Sequence, residues 1–203
     1  MVTKSAKTKQ FIIEKAAPIF NKKGFAATSI SDILDATGLA KGGVYGNFES
    51  KEDIALHAFE YANERLVTAL AEKISNEVSA KDKLVAVLNF YHNYSIYPTL
   101  EGGCPILNSA IDADFNFPAL KEKAALALQK MLELIEYIIN KGIATKEFRK
   151  KLDAKAEASL ILSVIEGGMM MSRLNNEPRY LNDLLVYLKK HVKSYKKNKN
   201  VSK

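Results

Sequence analysis

Residues 28–59, TSISDILDATGLAKGGVYGNFESKEDIALHAF, constrain the fold more than any other stretch of this chain. Ser29 with Asp32 three residues later resembles a capping box and starts a helix near Ile30. Ile33, Leu34 and Ala36 are expected to pack it inward, and Gly38 closes it. A third short helix is predicted from about Lys41 to Asn47, with Val44 and Phe48 on its core side. Ser50 then caps a longer helix from Lys51, with Glu52 and Asp53 near its positive end. Two short helices joined by a glycine turn, then a basic glycine-rich segment, form the layout of a helix-turn-helix that reads DNA.

Charge supports that reading. The chain of 203 residues carries a net charge of +7. Residues 1–51 hold eight lysines and four acids, and residues 189–203 hold seven lysines and no acid. The middle is mildly acidic. A basic head on an acidic body implies a polyanionic partner for the head. The lysine-rich tail is expected to be a solvated helix end that frays into disorder, with auxiliary phosphate contact as the sharper alternative.

The remainder reads as helix. Residues 4–23 place Phe11, Ile12, Ala16, Ile19 and Phe20 on one face, and Gly24 ends that helix. Further helices are predicted at about 51–77, 81–96, 104–113, 118–144, 153–175 and 178–195. Breaks fall at Pro98 to Gly103, Pro118, Gly142 to Lys146, and Pro178. β-branched alternation is absent, so no sheet is expected, and no repeat is visible. The expected fold class is all-α, with a helix-turn-helix domain over residues 1–50, a helical ligand-binding and dimerisation domain over 51–195, and a basic tail over 196–203. One cysteine, Cys104, precludes an internal disulfide and fits a reducing compartment. No secretory leader or membrane-spanning run is evident, so a cytoplasmic location is expected.

A recognition helix lies with its N-terminal turn in the major groove. Gly42, Gly43 and Gly46 remove bulk there, at about 1 kcal/mol each in helix propensity. Lys41 sits at the groove-entering end and reaches a phosphate or a guanine edge. Tyr45 and Asn47 offer polar groups on the outer face. Lys51 and the amides behind it, with Thr28 and Ser29 at the start of the second helix, are phosphate candidates. The plain alternative, a glycine-rich loop between two core helices, leaves the combined turn geometry and positive charge unexplained.

Gly24-Phe25, Thr28-Ser29-Ile30, Asp32-Ile33, Ala36-x-Gly38-Leu39, Lys41-Gly42, Val44-Tyr45, Phe48 and Ser50-Lys51-Glu52 together resemble the N-terminal domain of the TetR family of transcriptional regulators. The resemblance covers residues of roughly 4–60 directly. It extends to the body through helicity, length and a Gly103-Cys104-Pro105-Ile106-Leu107-Asn108 opening of a short helix. It implies a homodimer that binds a palindromic double-stranded operator and is released by a small ligand in the C-terminal domain. By position it implies DNA contacts at Lys41, Tyr45 and Lys51, and a core role for Phe48. The chain departs from the family pattern at three positions. Position 43 is commonly a hydroxyl or small residue, 46 often larger, and 47 frequently aromatic or His; here they are Gly43, Gly46 and Asn47. Base-reading side chains are therefore sparse, and backbone contacts and DNA shape carry more of the specificity.

In the body, SLILSVIEGGMMMSRL at 159–174 is apolar on most sides. Ile161, Val164, Gly167, Gly168 and Met171 on this helix, with Leu181, Leu184 and Leu188 on the next, form the expected dimer interface, a bundle across a two-fold axis. Packing of both stripes inside one chain is the alternative. The aromatic-rich middle is the expected sensor: Phe90, Tyr94, Tyr97 and Phe115, with Met131 and Met170 as adaptable surface. Arg65 and Asn108 are the groups expected to orient a mostly apolar or aromatic ligand. The long helix from Lys51 is the expected lever between head and pocket.

Cys104 at a helix start permits a second reading, an electrophile or redox sensor; a small buried packing residue is the alternative. No cofactor or metal is called for. His57, His92 and His191 lack metal-ligand spacing. No phosphate loop, GxSxG or HExxH occurs, and Asp112 and Asp114 point to different helix faces. An enzyme is not expected. A helical protein-protein adaptor without DNA binding remains the rival of another class, and it leaves the bare glycines and the basic head unexplained.

Overall fold

The structure, a computed structural model, describes residues 3–113 and 117–196. It is all-α: nine helices occur among the described residues, with one isolated antiparallel bridge between Phe148 and Lys196. The chain divides into two compact units. The first comprises the residues up to Val67 and Pro98–Leu128; the second comprises Thr68–Tyr97 and the residues from Gln129 onward. The domain boundary expected after residue 50 falls inside the first unit. The expected disordered tail lies, beyond Lys196, outside the described residues.

In the first unit α1 spans Lys4–Ala27 and is interrupted at Gly24, where the periodicity ends the helix. Helix α2 is Ile30–Thr37, and α3 is Lys41–Tyr45, two residues shorter than expected. Helix α4, Lys51–Ser75, and α7, Pro118–Ala144, each begin in this unit, and α6 is Pro105–Asp112. The capping box is formed in full. Ser29 Oγ accepts the Asp32 amide at 3.1 Å, and the Ser29 amide donates to Asp32 Oδ2 at 2.8 Å. Lys23 closes the arrangement with an ion pair to Asp32 at 2.6 Å. The Lys23 bond, and then the Ser29 donors, lower the Asp32 carboxyl to about 2. Ser50 Oγ likewise accepts the Asp53 amide at 3.1 Å to start α4.

The core of the head joins Ile12, Ile13 and Ala16 of α1 to Ile33, Val44, Phe48 and Ile54, with Leu34, Leu39 and Tyr61 packed around it. Phe11, expected on the buried face, is 38% exposed, because Ile13 and Ala17 take that side. Ala36 also faces solvent.

The second unit holds the end of α4, α5 at Ala80–Ile96, the rest of α7, α8 at Ala154–Asn175 and α9 at Arg179–Lys193. Helices α8 and α9 pair closely because Gly168 lacks a side chain. A Cβ there would lie 2.9 Å from Leu181 Cδ1 and 3.1 Å from its Cα. The Leu181 amide donates to buried Ser172 Oγ at 2.9 Å across the same corner. Helix α5 joins α9 through His92 Nδ1 and Asn182 Oδ1 at 2.7 Å. At the far end, Tyr195 donates to Glu157 Oε2 at 2.6 Å, and His191 Nε2 meets the same oxygen at 2.7 Å. Burial, reinforced by Glu157, drives the Tyr195 hydroxyl far above its usual pKa.

Candidate nucleic-acid interface

The outward face of α3 carries little. Lys41 is exposed, and Tyr45 is 40% exposed with the Lys41 ammonium 5.8 Å from its ring centre. No atom comes within 4 Å of a Cβ built on Gly42, and Gly43 would meet only Leu39 at ordinary contact distance, 3.6 Å. The protein's own packing therefore does not demand glycine at either position. Val44 and Phe48 point inward and are buried, as expected.

Several residues expected on the DNA-facing surface instead build the head. Thr28 is 1% exposed, and its hydroxyl donates to Gly24 O at 2.7 Å. Ser29 is exposed but serves the α2 cap. Asn47 Nδ2 donates to Gly43 O at 2.9 Å, and its Oδ1 accepts from Ser5 Oγ at 3.1 Å. It thus closes the end of α3 and ties the first turn of α1 to it. The Lys51 ammonium donates to Phe25 O and Thr28 O, both at 2.9 Å, and lies 4.2 Å from the Phe25 ring centre. It braces the chain between α1 and α2 while adding positive charge beside α2. The Ser5–Asn47 bond also brings a pair that sequence reasoning passed over beside α3: exposed Lys4 and Lys7 flank Ser5 in the first turns of α1. The signal was the basic N-terminus; what the sequence lacked was the contact that aims it.

The expected sensor residues divide between the units. Arg65, Cys104 and Asn108 belong to the first; Phe90, Tyr94, Tyr97, Met131 and Met170 to the second. Phe115 lies outside the described residues. Asn108 Nδ2 donates to Asn21 Oδ1 at 3.1 Å, Asn21 O at 2.9 Å and Gly102 O at 2.7 Å, so it locks α6 to α1. Asp112 adds a bond to the Phe25 amide. The space beside these groups is small, about 30 Å³. Arg65 binds Tyr61 Oη at 3.1 Å and Thr99 O at 3.3 Å. Cys104 is 2% exposed as the first cap of α6. Phe90 and Tyr94 are buried with Tyr91 in a ring cluster spaced 5.4 to 6.4 Å. Met131 is buried, whereas Tyr97 is 81% and Met170 48% exposed.

The residues expected in the dimer stripe divide between buried and half-buried positions. Ile161, Gly168, Leu181 and Leu188 are buried within the chain, because α8 packs α9 on that side. Leu184 and Met171 are half-buried, as are Val164 and Gly167. The apolar groups that face outward on α8 are Leu160, Met170 and Leu174, with Val186 and Tyr187 on α9.

Comparison with known proteins agrees with this geometry. Residues 12–58 match the family model for bacterial regulatory proteins of the tetR family. Residues 80–188 match the tetracyclin repressor-like C-terminal domain. A TetR-family transcriptional regulator from Cytophaga hutchinsonii superposes with a TM-score of 0.93 at 36% identity, covering 98% of this chain and 100% of that one. A TetR transcriptional regulator from Chloroflexus aurantiacus gives 0.90 at 37% identity, covering 94% and 96%. The fatty acid metabolism regulator protein of Bacillus subtilis is 25% identical over 76% of this chain and 78% of its own length. The chain belongs to the TetR family of DNA-binding, helix-turn-helix transcriptional regulators.

Proposed function

We propose that this protein is a cytoplasmic repressor that binds a palindromic operator as a homodimer and is released by a small, mostly apolar or aromatic effector. The observation that carries the reading is the outward face of α3, where Lys41 and Tyr45 stand beside open glycines at the basic end of α1. Lys41, Lys4 and Lys7 meet phosphates, and Tyr45 reaches the backbone or a base edge. With Asn47 turned inward and Gly42 and Gly43 bare, close backbone approach and duplex shape do much of the reading. The outward apolar residues of α8 and α9 support a two-fold dimer, which sets two heads on half-sites roughly 34–36 Å apart. Effector binding selects a second dimer state with a different head separation, which requires a preference of several kcal/mol. Release through Cys104 draws no support from a thiol that is 2% exposed.

A gel-shift with the protein's own upstream region tests this reading. Lys41→Ala and Tyr45→Ala should lose binding with helicity intact, and wild-type binding should weaken steeply with salt. DNA binding that is absent, or indifferent to salt, would sink it and favour the adaptor reading.

A further inference from the structure

The second unit holds a cleft of about 340 Å³ where the end of α4, the start of α5 and the C-terminal half of α7 meet. That size lies at the low end of small-ligand pockets, roughly 300–1,000 Å³. Ile74, Val78, Leu134, Tyr137 and Ile138 make its apolar walls. Val78 is 97% and Tyr137 59% exposed, so two large apolar groups stand in water at its mouth. Covering them is favourable for any ligand with an apolar body.

Charge decides what kind of ligand. The lining holds Lys83, Lys141 and Glu147. Glu147 keeps its negative charge, but its two oxygens are turned to the Ala80 and Lys81 amides at 2.8 and 2.9 Å, capping α5. Among the described residues neither lysine forms an ion pair. The Lys141 ammonium lies 5.2 Å from the Tyr137 ring centre, at the apolar wall. Two lysines against one carboxylate leave the lining a net charge of +1. A neutral occupant would leave this charge unpaired, and a cation would be repelled.

We propose that this cleft binds an amphipathic organic anion. Its apolar body lies against Leu134, Tyr137, Ile138 and Val78, and its carboxylate or sulfonate head meets Lys83 and Lys141. The site is separate from the DNA-reading head, so operator binding stands or falls independently.

Titration calorimetry of the full chain with dodecanoate, below its micelle concentration, tests the proposal, with displacement of anilinonaphthalenesulfonate fluorescence as a second readout. Wild type should bind dodecanoate and not dodecyltrimethylammonium. Lys83→Glu combined with Lys141→Glu should weaken binding about tenfold, the yield of two exposed charge pairs. Leu134→Asp should abolish it. Circular dichroism and the operator gel-shift verify that the variants are folded. Unchanged affinity in the lysine double variant, equal binding of the cationic analogue, or no binding of either anion by the folded wild type would each overturn the proposal.

Discussion

Gly42 and Gly43 of the head and Gly142 and Gly168 of the second unit occupy opposite environments. Gly42 looks into open space and Gly43 touches only Leu39. Gly142 and Gly168 are filled from outside: a Cβ on Gly142 would fall 2.3 Å from Phe148 Cδ2 and 2.8 Å from Ala80 Cβ. At Gly142 and Gly168 the missing side chain is replaced by a neighbour within the same chain, whereas Gly167 is open. In α3 nothing in the chain replaces it, yet the cost in helix propensity is the same. The bareness of α3 is therefore not set by packing within the protomer, and it supports the proposed close approach of a duplex.

Alanine at each position separates the two kinds. Gly142→Ala should cost about 2–3 kcal/mol by urea unfolding, since overpacking against buried Phe148 outweighs the gain in helix propensity. A neutral result there would dissolve the contrast. Gly168→Ala should cost about 1–2 kcal/mol, because the Leu181 methyl yields more readily than a ring while its Cα must shift by only a few tenths of an ångström. Gly43→Ala should go the other way, stabilising the head by up to about 1 kcal/mol while lowering operator affinity in a gel-shift. Raised stability with unchanged DNA binding would show that the open face is incidental.

The smallest effect sharpens the contrast inside the head, where α2 is held by its own cap and α3 by its neighbours. The folded Asp32 carboxyl sits at about 2, below its ordinary 3.8. A depressed carboxyl stabilises the fold above the unfolded pKa, and that contribution is lost as pH falls from about 4 toward 2. Asp32→Asn should therefore flatten the acid end of the stability curve over that interval. An unaltered curve would place the strength of α2 elsewhere.

The sequence made the helical class and most helix ends legible because they depend on local chemistry. Ser29, Gly38, Ser50 and Pro118 announce their caps within three residues. It misled where a side chain had two local choices. Thr28 and Asn47 carry groups suited to phosphate or base contact, and both turn inward to carbonyls of their own helix or turn. It also misled where one helix is apolar on two sides. Helix α8 buries Ile161 and Met169 against its own chain and leaves Leu160 and Leu174 in solvent. Periodicity alone does not say which stripe is internal. The cleft of the second unit was illegible for a third reason: Val78 before α5, Lys83 on α5, and Tyr137 and Lys141 on α7 converge only through long-range packing.

The bond from Tyr195 to Glu157 has an optical consequence. The chain contains nine tyrosines and no tryptophan, so tyrosine dominates its near-ultraviolet absorption. Tyr195 is fully buried, and its raised pKa keeps it protonated where exposed phenols ionise. A raised phenol stabilises the fold below the unfolded value near 10, and the linkage turns against the fold as pH climbs beyond it. Alkaline titration should therefore show a delayed phenolate step that coincides with loss of helicity. Tyr195 is thus a native chromophore for the melting of the α8–α9 pair, readable without any attached dye.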